Sequence, residues 1–248
     1  MAAEKWIAVT RGDKIYRADL SQGHFIGIPL DHEQPQPNAF YAPLYEASPH
    51  RMGDWTGDTR LGASVNFFNT RLNPHGNGTH TECVGHISME RYCIHDALGN
   101  GCWLAQLISV YPTLRDDGDR VIESLDWEDD VEALIIRTLP NTPDKKQRHY
   151  SGTNPPYLHA DLVRKMAAKG IQHLLLDLPS VDREEDGGAL AAHKAFWSYP
   201  DDIRQSATIT EMVYVENVIP DGLYLLQIQI PAMMLDAAPS RPFIFPVK

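Results

Sequence analysis

Cysteine is scarce in this chain: three residues in 248, Cys83, Cys93 and Cys102, an odd number without Cys-x-x-Cys spacing. That argues against a disulfide framework and for buried or free thiols. Basic residues are in deficit as well. The 22 lysines and arginines face 33 acids for a formal net charge of -11, and they are scattered rather than clustered, so no nucleic acid partner is expected. No stretch approaches the ~18 apolar residues of a membrane span, and the segment Met1–Trp6 lacks the apolar core of a signal peptide. A cytoplasmic protein with no membrane partner is the expectation. Internal repeats and convincing linkers are also absent. The 43% hydrophobic content is therefore read as the core of a single domain over residues 1–248, with the proline-dotted stretch Gln34–Pro49 as a long irregular segment.

Several local features resemble sites without completing them. Asp116–Asp119 and Glu128–Asp130 lack the twelve-residue ligand pattern of an EF-hand and read as solvated turns. Asp182–Gly188 reads as a surface loop. The glycines of Leu98-Gly99-Asn100-Gly101 are followed by no Lys-Ser/Thr, which dismisses a Walker-type phosphate cradle.

What the chain does have is one concentration of chemistry. Between Asn73 and His86 lie three imidazoles (His75, His80, His86), the Glu82 carboxylate and the Cys83 thiol, punctuated by Gly76, Gly78 and Gly85. On an extended backbone alternate side chains share a face, so His80, Glu82 and His86 can point together; on a helix Glu82 and His86 would stack one turn apart. Neutral imidazole with carboxylate suits zinc, manganese or iron rather than calcium. A solvated histidine turn has the same spacing, so spacing alone leaves both readings open. Cys83 could be a ligand or nucleophile, but a small buried hydrophobe is the expected role.

Clusters of β-branched and apolar residues between turn signals predict strands over Lys5–Val9, Lys14–Ala18, Val65–Thr70, Leu104–Tyr111, Ala133–Thr138, Ile171–Leu178 and Leu223–Ile230. A helix is predicted over Tyr157–Lys169, where Leu158, Leu162 and Met166 fall at four-residue steps and Gly170 supplies the stop. A second, Ala189–Trp197, would aim His193 inward. The pattern supports a mixed α/β chain. Phe40, Tyr41, Tyr45, Trp55, Phe67 and Phe68 are candidates for an apolar wall around an aromatic substrate.

The run Gly78-Thr79-His80-Thr81-Glu82 with His86 resembles the His-x-Gly-Thr-His-x-Asp-x-Pro-x-His signature of the cyclase family, which includes kynurenine formamidases and isatin hydrolases. Four further segments are similar to that family in the right order: Asp19-Leu20-Ser21 with Ile28-Pro29-Leu30, Leu175–Asp182, His193, and Val215-Glu216-Asn217. The resemblance implies a swivelling β/β/α fold, α/β with a central mixed, partly barrel-like sheet, in a homodimer or higher homo-oligomer. It also implies a divalent metal, zinc or manganese, with one or two ions per chain. Carried over residue by residue, His80 is a metal ligand and Glu82 stands in for a bridging aspartate. His86 becomes the proton donor and acceptor, and His193 and Glu216 become ligands of a second metal position.

Three departures matter. The first family histidine falls on Gly76, with His75 one residue too early; Glu82 is one methylene longer than aspartate; Val84 replaces the proline. With the glycines around it, His75 could swing inward and rebuild the site. The implied activity is metal-dependent hydrolysis of an amide or lactam bond in a small-molecule substrate, of the arylformamidase kind. The alternative is a family member that has lost competence at Gly76 and serves as a small-molecule binding protein.

Overall fold

Apolar runs that are buried on both sides build the centre of this fold. The computed structural model describes residues 5–248, so most of the Met1–Trp6 segment lies outside the described residues. A hairpin of β1 (Trp6–Arg11) and β2 (Lys14–Asp19) precedes the strands of the central sheet. These are β3 (His24–Phe25), β4 (His80–Glu82), β5 (Trp103–Val110), β6 (Ala133–Thr138), β7 (His173–Leu176), β8 (Thr208–Glu211), β9 (Gly222–Gln227), β10 (Ala237–Pro239) and β11 (Phe243–Pro246). Their spatial order is β10-β4-β8-β7-β6-β5-β9-β11-β3. The middle four, β5 to β8, run parallel, and the strands on either flank pair antiparallel. The mixed sheet curls into the partly closed barrel expected from the sequence.

Burial follows from the register. Every residue of β6 is buried, and alternation sends Leu134 and Ile136 to one face and Ala133 and Ile135 to the other. On the first face pack α2 (Ala160–Ala168) and α3 (Ala191–Trp197), the two longer helices after the short α1 (Ile94–Ala97). From α2 come Leu162, Val163 and Met166; from α3 come Ala192, Phe196 and Trp197. Each large apolar side chain so buried contributes roughly 1.5–3 kcal/mol. None of the described helices is long and apolar enough to cross a membrane.

The predicted strand over Ala133–Thr138 matches residue for residue, and the others are shifted by a few residues at their ends. Two differences have local causes. Tyr157–Leu158 is a short strand parallel to Val121–Ile122, so the helix begins only after His159, whose ring accepts from the Asp161 N–H at 3.3 Å. The strand expected at Val65–Thr70 is Phe68–Arg71, paired with Glu46–Pro49 outside the central sheet.

Candidate active site

Three short segments far apart in sequence meet at one edge of the sheet. β4 lies between β8 and β10, with His80 opposite Glu211 and Pro239, and Glu82 opposite Ile209 and Ala237. Alternation along β4 puts His80 and Glu82 on one face and turns Thr81 to the other, where its hydroxyl meets that of Thr210 at 2.8 Å. The turn leading into β4 is fixed from both sides. The Thr79 hydroxyl donates to the Met212 carbonyl at 2.5 Å and accepts from the Ile28 N–H at 2.8 Å. Gly78 takes a φ of +124°, which other residues resist.

Glu82 is the centre of the cluster and fully buried. Its Oε1 lies 3.2 Å from His193 Nε2; its Oε2 lies 3.2 Å from His75 Nδ1 and 3.9 Å from His86 Nδ1. His80 Nε2 stands 3.4 Å from Glu211 Oε2 without hydrogen-bond alignment. His193 comes from α3, and Asp182 orients it: the Asp182 carboxylate accepts from the Ala192 and His193 N–H groups at 2.7 and 3.1 Å and lies 2.6 Å from His193 Nδ1. Asp236, just before β10, lies 2.8 Å from His75 Nε2 and 3.5 Å from His86 Nδ1.

These outer contacts assign tautomers. An ionised carboxylate or a carbonyl can only accept, so each nitrogen facing one carries the proton. His80 donates through Nδ1 to the Gly78 carbonyl at 2.9 Å and His193 through Nδ1 to Asp182, while His75 donates through Nε2 to Asp236. This is the carboxylate- or carbonyl-backed arrangement of metal-ligating histidines. Of the three, His80 alone has an inner nitrogen, Nε2, that faces the cluster without a hydrogen bond; the inner nitrogens of His193 and His75 face Glu82 at 3.2 Å and carry protons that a cation would displace. The buried atoms His80 Nε2 and Glu82 Oε2 have no hydrogen-bond partner, a costly state for polar atoms unless a cation completes them. The ligand atoms of His80, Glu82 and Glu211 lie within 4.8 Å of one another, as do those of His75, Glu82 and His86. The donor set of imidazole and carboxylate fits a divalent transition metal.

The electrostatics agree. Burial lowers the His193 pKa, but Asp182, Glu82 and Glu211 outweigh it and raise it to about 10. His75 likewise reaches about 10, because Asp236 and Glu82 overcome its burial. Burial raises Glu82, yet the surrounding histidines hold it well below the usual carboxylate range. The cluster thus attracts positive charge, which either protons or a dication can provide. Cys83 is buried and its thiol is pushed up to about 12, mainly by burial, which fits the small hydrophobe expected of it.

The site opens into a cavity of about 410 Å³ whose wall includes Phe40, His75, His86, Arg183, His193 and Glu211. Phe40 and Tyr41 both adopt left-handed backbone angles, φ +56° and +52°, strain that the surrounding loop must hold. Of the aromatics expected to form a wall, Phe40 alone lines this cavity.

Of the residues singled out from the sequence, His75, His80, Glu82, His86 and His193 are brought together. Glu216 is not. It lies just after the buried run 212–215, and its half-exposed carboxylate binds Lys146 Nζ at 2.6 Å. Glu211 stands at the site instead, because its position on β8 is the one that pairs with His80. Nor is Asp182 part of a solvated loop, since its carboxylate is held against the start of α3. Asp236 carried no signal in the sequence. Glu211 carried a faint one, as the end of the alternating run Thr208-Ile209-Thr210-Glu211. Asp177 and Asp19, in the other family-like segments, are structural: Asp177 is buried against Lys145 Nζ at 2.7 Å, and Asp19 accepts from Ser21 at a turn.

Residues 19–183 match a family profile described as "Putative cyclase". Kynurenine formamidase of Bacillus cereus (strain ATCC 10987) is 26% identical over 208 residues, spanning 79% of this chain and 92% of that protein. Isatin hydrolase A from Labrenzia aggregata shares the fold with a TM-score of 0.58 at 11% identity, over 90% of this chain and 92% of that one. A protein described as a predicted metal-dependent hydrolase from Bacillus stearothermophilus does so with a TM-score of 0.57 at 18% identity, over 90% and 97%. With its signature segment inside a profile match that spans more than half its length, the chain belongs to the cyclase family.

Proposed function

We propose that this chain is a metal-dependent hydrolase of an amide or lactam bond, of the arylformamidase kind, acting on an N-acyl aromatic substrate such as N-formylkynurenine. The observation that carries the reading is the pair of orphaned buried atoms, His80 Nε2 and Glu82 Oε2, inside a cluster whose histidines are backed on their outer nitrogens by the Gly78 carbonyl, Asp182 and Asp236. His80, Glu82, His193 and Glu211 would hold the ion, with His75 on the opposite side of Glu82. When bound, a zinc or manganese ion would polarise the scissile carbonyl as a Lewis acid and acidify water.

The remaining steps fall to the chain. His86 reaches the cavity wall with 30% of its side chain exposed, whereas His80 and His193 are buried, so it is the imidazole placed to meet substrate. It accepts a proton from the attacking water and returns it to the departing nitrogen, completing hydrolysis to a carboxylate and an amine. Phe40 supplies an apolar face for the substrate ring. Arg183, held by Asp119 at 2.9 Å, sets a cation in the same wall.

The test is elemental analysis of protein purified without chelator, with turnover of N-formylkynurenine and isatin. The expected result is at least one transition-metal ion per chain and activity on one of these amides. His86→Ala should keep the metal and lose about 10²- to 10⁴-fold in turnover. Protein that takes up no metal after supplementation, or a metal-loaded His86→Ala variant with full activity, overturns the proposal.

A further inference from the structure

We propose that Asp236 is a positioning residue: it accepts the hydrogen bond of His75 Nε2–H and holds His75 Nδ1 toward Glu82, so that a histidine one residue out of the family register serves as a cation ligand. The inference rests on the metal-dependent reading above and adds a residue that no motif contains.

The position the family gives to histidine is closed in this chain. A Cβ on Gly76 would lie 2.3 Å from the Ala42 Cβ and 3.1 Å from the Ala39 carbonyl oxygen, and the Ala39 N–H already donates to the Gly76 carbonyl at 3.0 Å. The loop at 39–42 therefore fills the space a side chain at 76 would need. His75 is turned inward instead. The Asn73 side chain accepts from the Gly76 N–H at 3.1 Å, and the Asn73 carbonyl accepts from the Asn77 N–H at 3.1 Å. The Asn77 side chain in turn accepts from the Asn73 N–H at 2.6 Å. This tight reversal leaves the His75 ring 4.3 Å from that of His86 and 5.2 Å from that of His80.

At that place His75 has one carboxylate on each nitrogen: Asp236 at 2.8 Å on Nε2 and Glu82 at 3.2 Å on Nδ1. His193 is built the same way, with Asp182 at 2.6 Å on Nδ1 and Glu82 at 3.2 Å on Nε2. The two pairs flank the two oxygens of Glu82, His193 on Oε1 and His75 on Oε2. Oε2 is buried and makes no aligned hydrogen bond, and His75 Nδ1 lies 3.2 Å from it, so a cation that displaces the Nδ1 proton meets both atoms at once. A cation bound by both relieves that contact, and Asp236 fixes the tautomer that makes it possible.

The experiment is cobalt(II) titration of the full-length chain, with affinity from chelator competition and the visible absorption spectrum as a second readout. Asp236→Asn should weaken cobalt binding about 10- to 100-fold, as removal of a histidine's outer carboxylate does elsewhere, and should alter the spectrum. His75→Ala should weaken it at least as much. The decisive arm is the double variant. In the His75→Ala background Asp236→Asn should change the affinity no further, because its effect passes through that ring; a general structural role would persist and add. Asp236→Glu should recover part of the loss.

Wild-type affinity and spectrum in Asp236→Asn, or additive effects in the double variant, overturn the assignment and leave the hydrolase reading intact. An unmodified chain that binds no cobalt overturns both. Melting curves of each variant identify any loss caused by unfolding. For a variant that does not fold, the His75→Gln and Asp236→Glu pair runs the same cycle.

Discussion

Glu211 and Glu216 offer a direct trial of the site, because the family-like motif points to one and the fold to the other. Glutamine keeps the size of each side chain and removes only its charge. At position 216 the carboxylate is 51% exposed and its partner Lys146 is 43% exposed, and exposed pairs of this kind are worth ~0–1 kcal/mol. Glu216→Gln should leave metal affinity and turnover within about twofold. At position 211 the carboxylate is buried, with Oε2 3.4 Å from His80 Nε2 and 3.9 Å separating its Oε1 from His193 Nε2. Its Oε1 also accepts from the Val181 N–H at 3.1 Å, a bond that glutamine can preserve, so the fold should survive. The loss should then be electrostatic. Outer partners of metal ligands are worth ~10–100-fold in affinity, so losing a direct carboxylate should cost at least about 100-fold, or ~3 kcal/mol. Chelator competition measures the affinity, and hydrolysis of N-formylkynurenine at saturating zinc or manganese measures the rate. A Glu216→Gln variant that loses metal while Glu211→Gln keeps it would refute the reasoning.

Two further outcomes are expected. Adding zinc or manganese at about 100 times its Kd should stabilise the chain by ~2.7 kcal/mol, seen as a melting point higher by roughly 5–10 °C for a chain of this size; EDTA should reverse the gain, and an unchanged melting curve counts against a bound ion. His173, buried against Trp103 and bonded to Thr208, has its pKa lowered from 6.5 to about 3 by burial. Because its folded pKa lies below its unfolded one, the neutral ring costs nothing above pH 6.5, and stability is lost as pH falls below that value. Between pH 6.5 and 4 the loss from this residue is ~3 kcal/mol, so denaturant titrations should show a correspondingly flatter acid limb for His173→Gln than for the parent. Parallel limbs would remove His173 from the account.

The interior of this fold was legible where strands are long. A buried parallel strand needs apolar residues on both faces, so Ala133–Thr138 announces itself, and α2 shows its stripe through Leu162 and Met166. The strands that build the site, His80–Glu82 and Ala237–Pro239, are three residues each, too short for any period to register. His80, Glu82 and His86 stand out by residue type within one short segment, whereas His193 is reached only through the family resemblance and its place on a predicted helix. Asp236 leaves no such mark and Glu211 only a faint one, because what places them is pairing with β4 and the start of β10, a matter of register between distant segments. His75 lay in between. Its residue type was visible, but whether it turns inward depends on the loop at Ala39–Ala42 that occupies the neighbouring position.

The pairing of β4 with β10 has a consequence for biogenesis. His75 and Asp236 stand 161 residues apart in the chain, so during synthesis the histidine-rich turn emerges long before the acid that backs it. A ribosome-bound fragment ending before residue 236 can hold parts of the cluster but not the whole. The contact between His75 and Asp236 therefore forms only after translation has passed residue 236 and β10 has paired with β4.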